Sequence, residues 1–341
     1  MVRIGIVGIG FMGMIHYLAA QRLQNAQVAA IVSRDPKKRA GDWRGIRGNF
    51  GPPGQLMDLR GIKTYATLNE LLADPQIDLV DICLPTHLHA QASIEALKSG
   101  KHVIVEKPIA LSLEDADRML DVAWQSGKLL MVAQVLPFVP EFQYALRLAR
   151  SGQAGKLLGG HLERIISKPD WSAEIADPAK TGGPAIDLHI HDSHYILLMA
   201  GLPKAVYTRG VVENGTVVHL TSQYLYDSEG PFCLSCSSGA LCQKGREFTH
   251  GFELYFEKAT ASYRLGSPLT VYWADGRAEQ PAMSDGGDPT AAFTAELQAA
   301  VDAVRTGCET QQLSGQLARD ALMICYREIE SVLSNKIVAM P

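Results

Sequence analysis

Apolar positions along this chain fall into two regimes, and the change between them marks its organisation. Residues 2–7 (VRIGIV) are a short apolar run ending at glycines, an amphipathic stretch follows to about residue 23, and a β-branched run occupies residues 28–32. That sequence of periods predicts a βαβ unit. After a polar, Gly/Pro-rich segment at 41–61, helix and strand patterns alternate: helix 68–73, strand 79–84, helix 90–99, strand 102–105, helix 113–125 and strand 129–133. Such alternation predicts a doubly wound parallel sheet. Beyond about residue 135 the pattern changes to a helix at 142–150, a strand at 156–166, a helix at 186–199 and successive strand-like runs between 205 and 272. Strands in succession predict a mostly antiparallel sheet. The tail is helical over 291–333, with a last strand at 336–339. The expected architecture is therefore α/β: a parallel-sheet domain over 1–134 and an α+β domain with a large, mostly antiparallel open sheet over 135–341.

Composition supports two cores, since 341 residues with 47% apolar content exceed one comfortable core. A net charge of -4, from 32 basic and 36 acidic residues without a long one-sign block, gives no footprint for nucleic acid or an anionic membrane. A small molecule is the expected partner. No apolar run is long enough to cross a bilayer, and no signal-peptide pattern precedes the first strand. Six scattered cysteines fit a reducing cytoplasm rather than a disulfide framework. Cys233 and Cys236 form a C-x-x-C, but inside a strand-like stretch, so buried strand thiols are expected rather than a redox pair.

The chemistry starts at Gly8-Ile9-Gly10-Phe11-Met12-Gly13, a G-x-G-x-x-G placed directly after a strand and opening a helix. Gly8 permits the turn, Gly10 clears space for a pyrophosphate, and Gly13 lets helix and strand pack closely while free helix N–H groups face the anion. Candidate contacts here are Gly8, Gly10, Phe11 and Met12. At the end of the second strand an acidic residue would bond a ribose hydroxyl, whereas an arginine would suit a 2'-phosphate. The strand ends Val32-Ser33-Arg34-Asp35, with Lys38 nearby. Ser33 and Arg34 favour NADP over NAD, while a one-residue shift of the strand would hand Asp35 the ribose instead.

Four ordered motifs then resemble the Gfo/Idh/MocA oxidoreductases, the glucose-fructose oxidoreductase and inositol dehydrogenase family. They are Cys83-Leu84-Pro85-Thr86-His87-Leu88-His89-Ala90, then Ala96 to Val103 with Glu106-Lys107-Pro108, then Gly182 to Asp192, and the Ser314-Gly315 helix start. The resemblance implies an N-terminal Rossmann domain for the cofactor, a C-terminal domain for substrate, and a homodimer or homotetramer formed through the C-terminal sheet. It also implies hydride transfer between nicotinamide C4 and a hydroxyl or ketone of a sugar, polyol or related compound. Catalytic roles fall on Lys107, Asp187 and His191, and no metal is implied. Leu84, Pro85, His89, Glu106, Lys107 and Gln134 become cofactor contacts. Two departures stand out: Pro137 replaces an arginine common in relatives, and Gly182-Gly183-Pro184 replaces three glycines.

These residue types suit the reaction, because hydride loss from a carbinol needs a base on the hydroxyl. Asp187 and His191, four apart on one expected helix, would share a face, with His194 close to it. His161, Arg164, Trp171, Lys180, His194 and Tyr255 are candidate substrate-wall residues. Two rival readings remain at this point. Asp187, His189 and His191 match the D-x-H-x-H strand of a metal-dependent amidohydrolase-like hydrolase. A non-catalytic NADP-binding sensor would retain the glycine turn alone.

Overall fold

The apolar runs become strands and the amphipathic stretches become the helices that cover them. The structure, a computed structural model, describes every residue except 49, 169–176, 228–229, 232, 284–287 and 289. In chain order the elements of the first half are β1 (Val2–Val7), α1 (Phe11–Ala20), β2 (Ala26–Val32), α2 (Pro36–Arg39), β3 (Lys63–Tyr65), α3 (Leu68–Leu72), β4 (Leu79–Ile82), α4 (His89–Lys98), β5 (His102–Glu106), α5 (Leu113–Ser126) and β6 (Leu130–Ala133). Next come α6 (Pro140–Ser151), β7 (Leu157–Ser167), α7 (Pro178–Thr181), α8 (Pro184–Asp187), α9 (Ile190–Ala200), β8 (Ala205–Glu213), β9 (Thr216–Leu225), β10 (Cys233–Cys242), β11 (Thr249–Phe256), β12 (Ala259–Arg264), β13 (Thr270–Trp273) and β14 (Ala278–Glu279). Helices α10 (Ala291–Thr306) and α11 (Gly315–Ser334) and strand β15 (Val338–Ala339) close the chain.

Two units form. The first comprises Met1–Phe138 and Gly287–Arg319, the second Val139–Gly286 and Asp320–Pro341. The division expected at 134/135 thus misses one exchange: α10 returns to the first unit. The reason is a shared core, in which Phe293, Leu297, Ala300 and Val301 of α10 join Ile4, Ile6, Met14 and Ile15.

The first unit holds a six-stranded sheet in the order β3-β2-β1-β4-β5-β6, and every pairing in it is parallel. This is the doubly wound order whose strands deliver ligand-binding loops at their carboxyl ends. The second unit holds a nine-stranded sheet in the order β14-β13-β12-β11-β7-β10-β9-β8-β15. Among the described residues, only β7 and β10 of this sheet pair in parallel. Among the described residues, no helix is long and apolar enough to cross a membrane.

The cysteine expectation is half corrected. Residues three apart on a strand point to opposite faces, so Cys236 is buried while Cys233 is exposed on β10. All six cysteines are free.

Candidate functional site

The glycine turn has the geometry its sequence requires. Gly8 has φ +96°, and a Cβ there would lie 2.7 Å from the Cys83 carbonyl oxygen. A Cβ on Gly13 would fall 2.0 Å from the Gly8 carbonyl oxygen, whereas one on Gly10 would meet nothing within 4 Å among the described residues. Gly10 is also the N-cap of α1, and no side chain caps the helix. Open space therefore lies in front of uncapped helix N–H groups, the arrangement that receives an anion. The Phe11 ring packs edge-on against Phe50 at 4.8 Å, which leaves its main chain rather than its ring to face that space.

At the end of β2, Ser33 is buried, with its N–H donated to Tyr65 O and its hydroxyl accepting from Asp35 N–H at 3.3 Å. Arg34 is exposed. Asp35 is exposed and caps α2, Oδ1 of its carboxylate accepting Lys37 N–H at 2.9 Å. Lys38 Nζ donates to Ile9 O at 2.6 Å, which holds an ammonium beside the glycine turn.

The loop after β4 and the motif after β5 are braced together. His89 places Nδ1 2.8 Å from Pro108 O and Nε2 2.8 Å from Leu84 O. Both ring nitrogens lie within hydrogen-bond distance of main-chain carbonyls of the protein, so the ring braces the Leu84-Pro85 loop expected beside the nicotinamide ribose. Burial lowers its pKa, and the two carbonyls oppose that shift. Glu106 ends β5, and its Oε2 accepts the Lys107 N–H at 3.1 Å. Lys107 itself is half-buried. Gln134, just after β6, is buried, and neither its Oε1 nor its Nε2 has a hydrogen-bond partner among the described residues. A buried amide with both ends free is rare without a ligand to meet it, so this end of the sheet fits a cofactor.

Beneath the turn lies a cluster that sequence patterning did not find. His16 of α1 is fully buried, its Nδ1 3.0 Å from both carboxylate oxygens of Asp81 and its Nε2 3.0 Å from Glu106 Oε1. The second contact is close but poorly aligned for a hydrogen bond, so its strength is that of an ion pair. Cys83 Sγ stands 3.4 Å from both His16 Nδ1 and Asp81 Oδ1. Burial opposes charge on His16, but Asp81 and Cys83 outweigh it and hold the imidazolium well above its usual range. Glu106, which burial alone would raise, is held below the carboxylate range by His16. Glu296 of α10 is fully buried, neither of its oxygens has a partner among the described residues, and burial drives its pKa well above the usual value. A signal existed for this cluster: Asp81 interrupts an otherwise apolar strand buried on both faces.

Glu296 gives the first unit a pH dependence. Because its folded pKa is raised, the stability it contributes is complete below about pH 4.5 and declines as pH rises and the unfolded chain ionises first. Glu296→Gln should therefore be the more stable protein by roughly 1–3 kcal/mol at about pH 8, with the gap closing toward about pH 5. Thermal unfolding of both proteins across that range reads the difference directly. A gap that does not change with pH would refute the assignment.

In the second unit, Gly182 and Gly183 adopt φ +82° and +74°, and Pro184 opens α8. The single helix expected over 186–199 is two helices, α8 and α9. At the junction His189 N–H reaches back five residues to Pro184 O at 3.1 Å, and Asp192 N–H takes a tight bond to His189 O. Asp187 and His191 are both half-buried, while His189 and residues 192–198 are buried. His189 Nε2 sits 2.8 Å from Glu328 Oε2 and 3.4 Å from the Tyr224 hydroxyl. The metal-hydrolase reading fails here, since Asp187, His189 and His191 lie on helical turns and the middle ring is committed to Glu328.

The substrate-wall candidates separate as well. Arg164 is buried in a two-pronged pair with Asp192, at 2.8 and 3.2 Å, and His194 is fully buried with its pKa pushed down to about 3 by burial. Both are core residues rather than wall. His161 bonds Ser235 Oγ at 2.9 Å, Tyr255 donates to Glu253 Oε1 at 2.7 Å, and Lys180 closes the short α7. Trp171 lies outside the described residues.

A doubly wound parallel sheet that presents an uncapped helix N-terminus at its carboxyl edge is an arrangement that can receive a dinucleotide phosphate. Residues 2–134 match the family described as oxidoreductase family, NAD-binding Rossmann fold. D-xylose 1-dehydrogenase (NADP(+)) 2 of Haloferax volcanii is 27% identical over 346 residues, covering 97% of this chain and 96% of that protein. Myo-inositol 2-dehydrogenase of Thermotoga maritima is 29% identical over 192 residues, which is 56% of this chain and only 52% of that protein. Among solved structures, levoglucosan dehydrogenase in complex with NADH has a TM-score of 0.85 at 19% identity, covering 100% of this chain and 99% of the other. At that identity the likeness establishes the shared fold.

Proposed function

We propose that this protein is an NADP-dependent dehydrogenase or reductase that interconverts a hydroxyl and a ketone on a sugar, polyol or related small molecule. The observation that carries the reading is the open space at Gly10 before an uncapped helix, on the same sheet edge as the Glu106-Lys107 motif and the unpartnered amide of Gln134. The nicotinamide supplies or accepts the hydride when bound. Gly8, Gly10, Phe11, Met12 and Lys38 hold the pyrophosphate end, Leu84, Pro85, Glu106 and Gln134 bound the nicotinamide end, and Lys107 and His191 move the substrate proton, with Asp187 fixing the charge beside His191. The relatives named for xylose and inositol support a polyhydroxylated substrate. A screen of sugars, inositols and sugar acids with each cofactor, followed by absorbance of the reduced nicotinamide, tests the reading. Absence of turnover with every compound and both cofactors would leave the sensor reading in its place.

NADP is favoured over NAD because the exposed Arg34 guanidinium at the end of β2 suits a 2'-phosphate, while one oxygen of Asp35 caps α2. Charge-assisted contacts to a phosphate are worth about 1.5–3 kcal/mol, so Arg34→Ala should weaken NADP binding by roughly 10- to 100-fold and leave NAD binding unchanged. Fluorescence titration with both reduced cofactors measures this, and an equal effect on the two would point to NAD. A homodimer or homotetramer through the nine-stranded sheet is supported by Leu158, Val211, Leu241 and Tyr272, large apolar side chains left exposed on its strands. Six free cysteines support a cytoplasmic location.

A further inference from the structure

We infer that His16 is a positioning residue for Lys107: its imidazolium, fixed by Asp81, holds the Glu106 carboxylate, and Glu106 in turn fixes the Lys107 main chain and the charge that the lysine amine meets. This rests on the proposed role of Lys107 and extends it to a residue three positions beyond the glycine turn.

Three buried carboxyl groups, Asp81, Glu106 and Glu296, gather around a single imidazole. One positive charge cannot balance three negative ones in a medium that penalises each. Asp81 takes Nδ1 with both oxygens at 3.0 Å, Glu106 meets Nε2 at 3.0 Å, and Glu296 is left without a partner. His16 is thus divided between two acids that come from adjacent strands of the sheet, β4 and β5. Glu106 is itself divided, with Oε1 toward His16 and Oε2 accepting the Lys107 N–H at 3.1 Å. A continuous run of contacts therefore leads from the helix that opens at the glycine turn to the residue proposed to carry the proton. The charged and titratable groups acting on Glu106 are His16 from α1, His89 from α4, Glu296 from α10, Cys83 after β4 and Lys107 beside it.

The charges give signs that a packing role does not. Loss of the imidazolium leaves a net negative neighbour beside Lys107, which slows attack by its amine on an acylating reagent. Loss of the Glu106 charge does the opposite, and loss of both restores the balance. Limited acetylation by acetic anhydride at fixed pH, with Lys107 and the exposed Lys98 quantified by peptide mass spectrometry, reads this without substrate or cofactor. Relative to Lys98, Lys107 should react roughly threefold or more slowly in His16→Gln and threefold or more faster in Glu106→Gln, and within about twofold of wild type in the double variant. If His16→Gln does not fold, Glu106→Gln and the double variant still carry the test. A lowered melting temperature with unchanged Lys107 reactivity in these variants would make the cluster structural only and overturn the inference. Because labelling needs no turnover, failure of the dehydrogenase reading would appear separately, as silence in the substrate screen.

Discussion

Gly13→Ala should cost the first unit about 3 kcal/mol or more of stability and abolish dinucleotide binding, whereas Gly10→Ala should leave stability unchanged and weaken only the binding. The contrast follows from where each added methyl would fall. On Gly13 it would lie 2.0 Å from the Gly8 carbonyl oxygen, a backbone atom that no rotamer change can move aside. Strand β1 or helix α1 must shift, and with them the Ile6, Met14 and Ile15 packing between the two. On Gly10 the methyl would enter open space, at φ −97° and ψ −157°, a conformation any residue tolerates. It would then occupy the volume assigned to the pyrophosphate. Thermal unfolding and cofactor titration of the two variants separate these effects. Unchanged cofactor affinity in Gly10→Ala would refute the placement of the phosphate, and unchanged stability in Gly13→Ala would refute the packing.

The parts of the molecule that were legible in the sequence are those whose cause is local. The glycine turn needs particular backbone freedom at fixed spacing, and alternating strand and helix periods reflect burial on two faces, so the doubly wound, parallel character of the first sheet followed from pattern alone. What pattern could not give depends on residues far apart in the chain. Helix α10 joins a core built from the start of the chain because Phe293 and Leu297 find Ile4 and Met14, a choice that periodicity does not encode. The break between α8 and α9 has the same origin. His189 is drawn into a buried contact with Glu328, 139 residues away, and the helix accommodates it with a wider turn. Arg164 and His194 looked like polar wall residues for a related reason: their types suggest a surface, but Asp192 compensates one charge and burial keeps the other ring neutral. His16 went unread because a lone histidine on an apolar helix face carries no signal until Asp81 and Glu106 are placed around it.

Lys107→Ala should lower kcat by roughly 100- to 10,000-fold while changing cofactor affinity by less than about threefold, the range removed with a general acid–base group. Oxidation of a carbinol takes a hydride from carbon and a proton from oxygen, so the protein must supply a group that accepts the proton as the hydride leaves. Lys107 stands at the carboxyl end of β5, the sheet edge where doubly wound folds bind ligands, with its main chain held by Glu106. His191 is the second proton-transfer group in the proposal. Its replacement by asparagine should therefore lower kcat less than loss of Lys107 and also reshape the pH profile. The double variant tells whether the two act as one unit. If they share a single proton transfer, Lys107→Ala with His191→Asn should be little worse than Lys107→Ala alone, because residues that act together lose their effect together. Multiplicative losses would instead assign them separate steps, and turnover by Lys107→Ala at the wild-type rate would remove the lysine from the chemistry altogether.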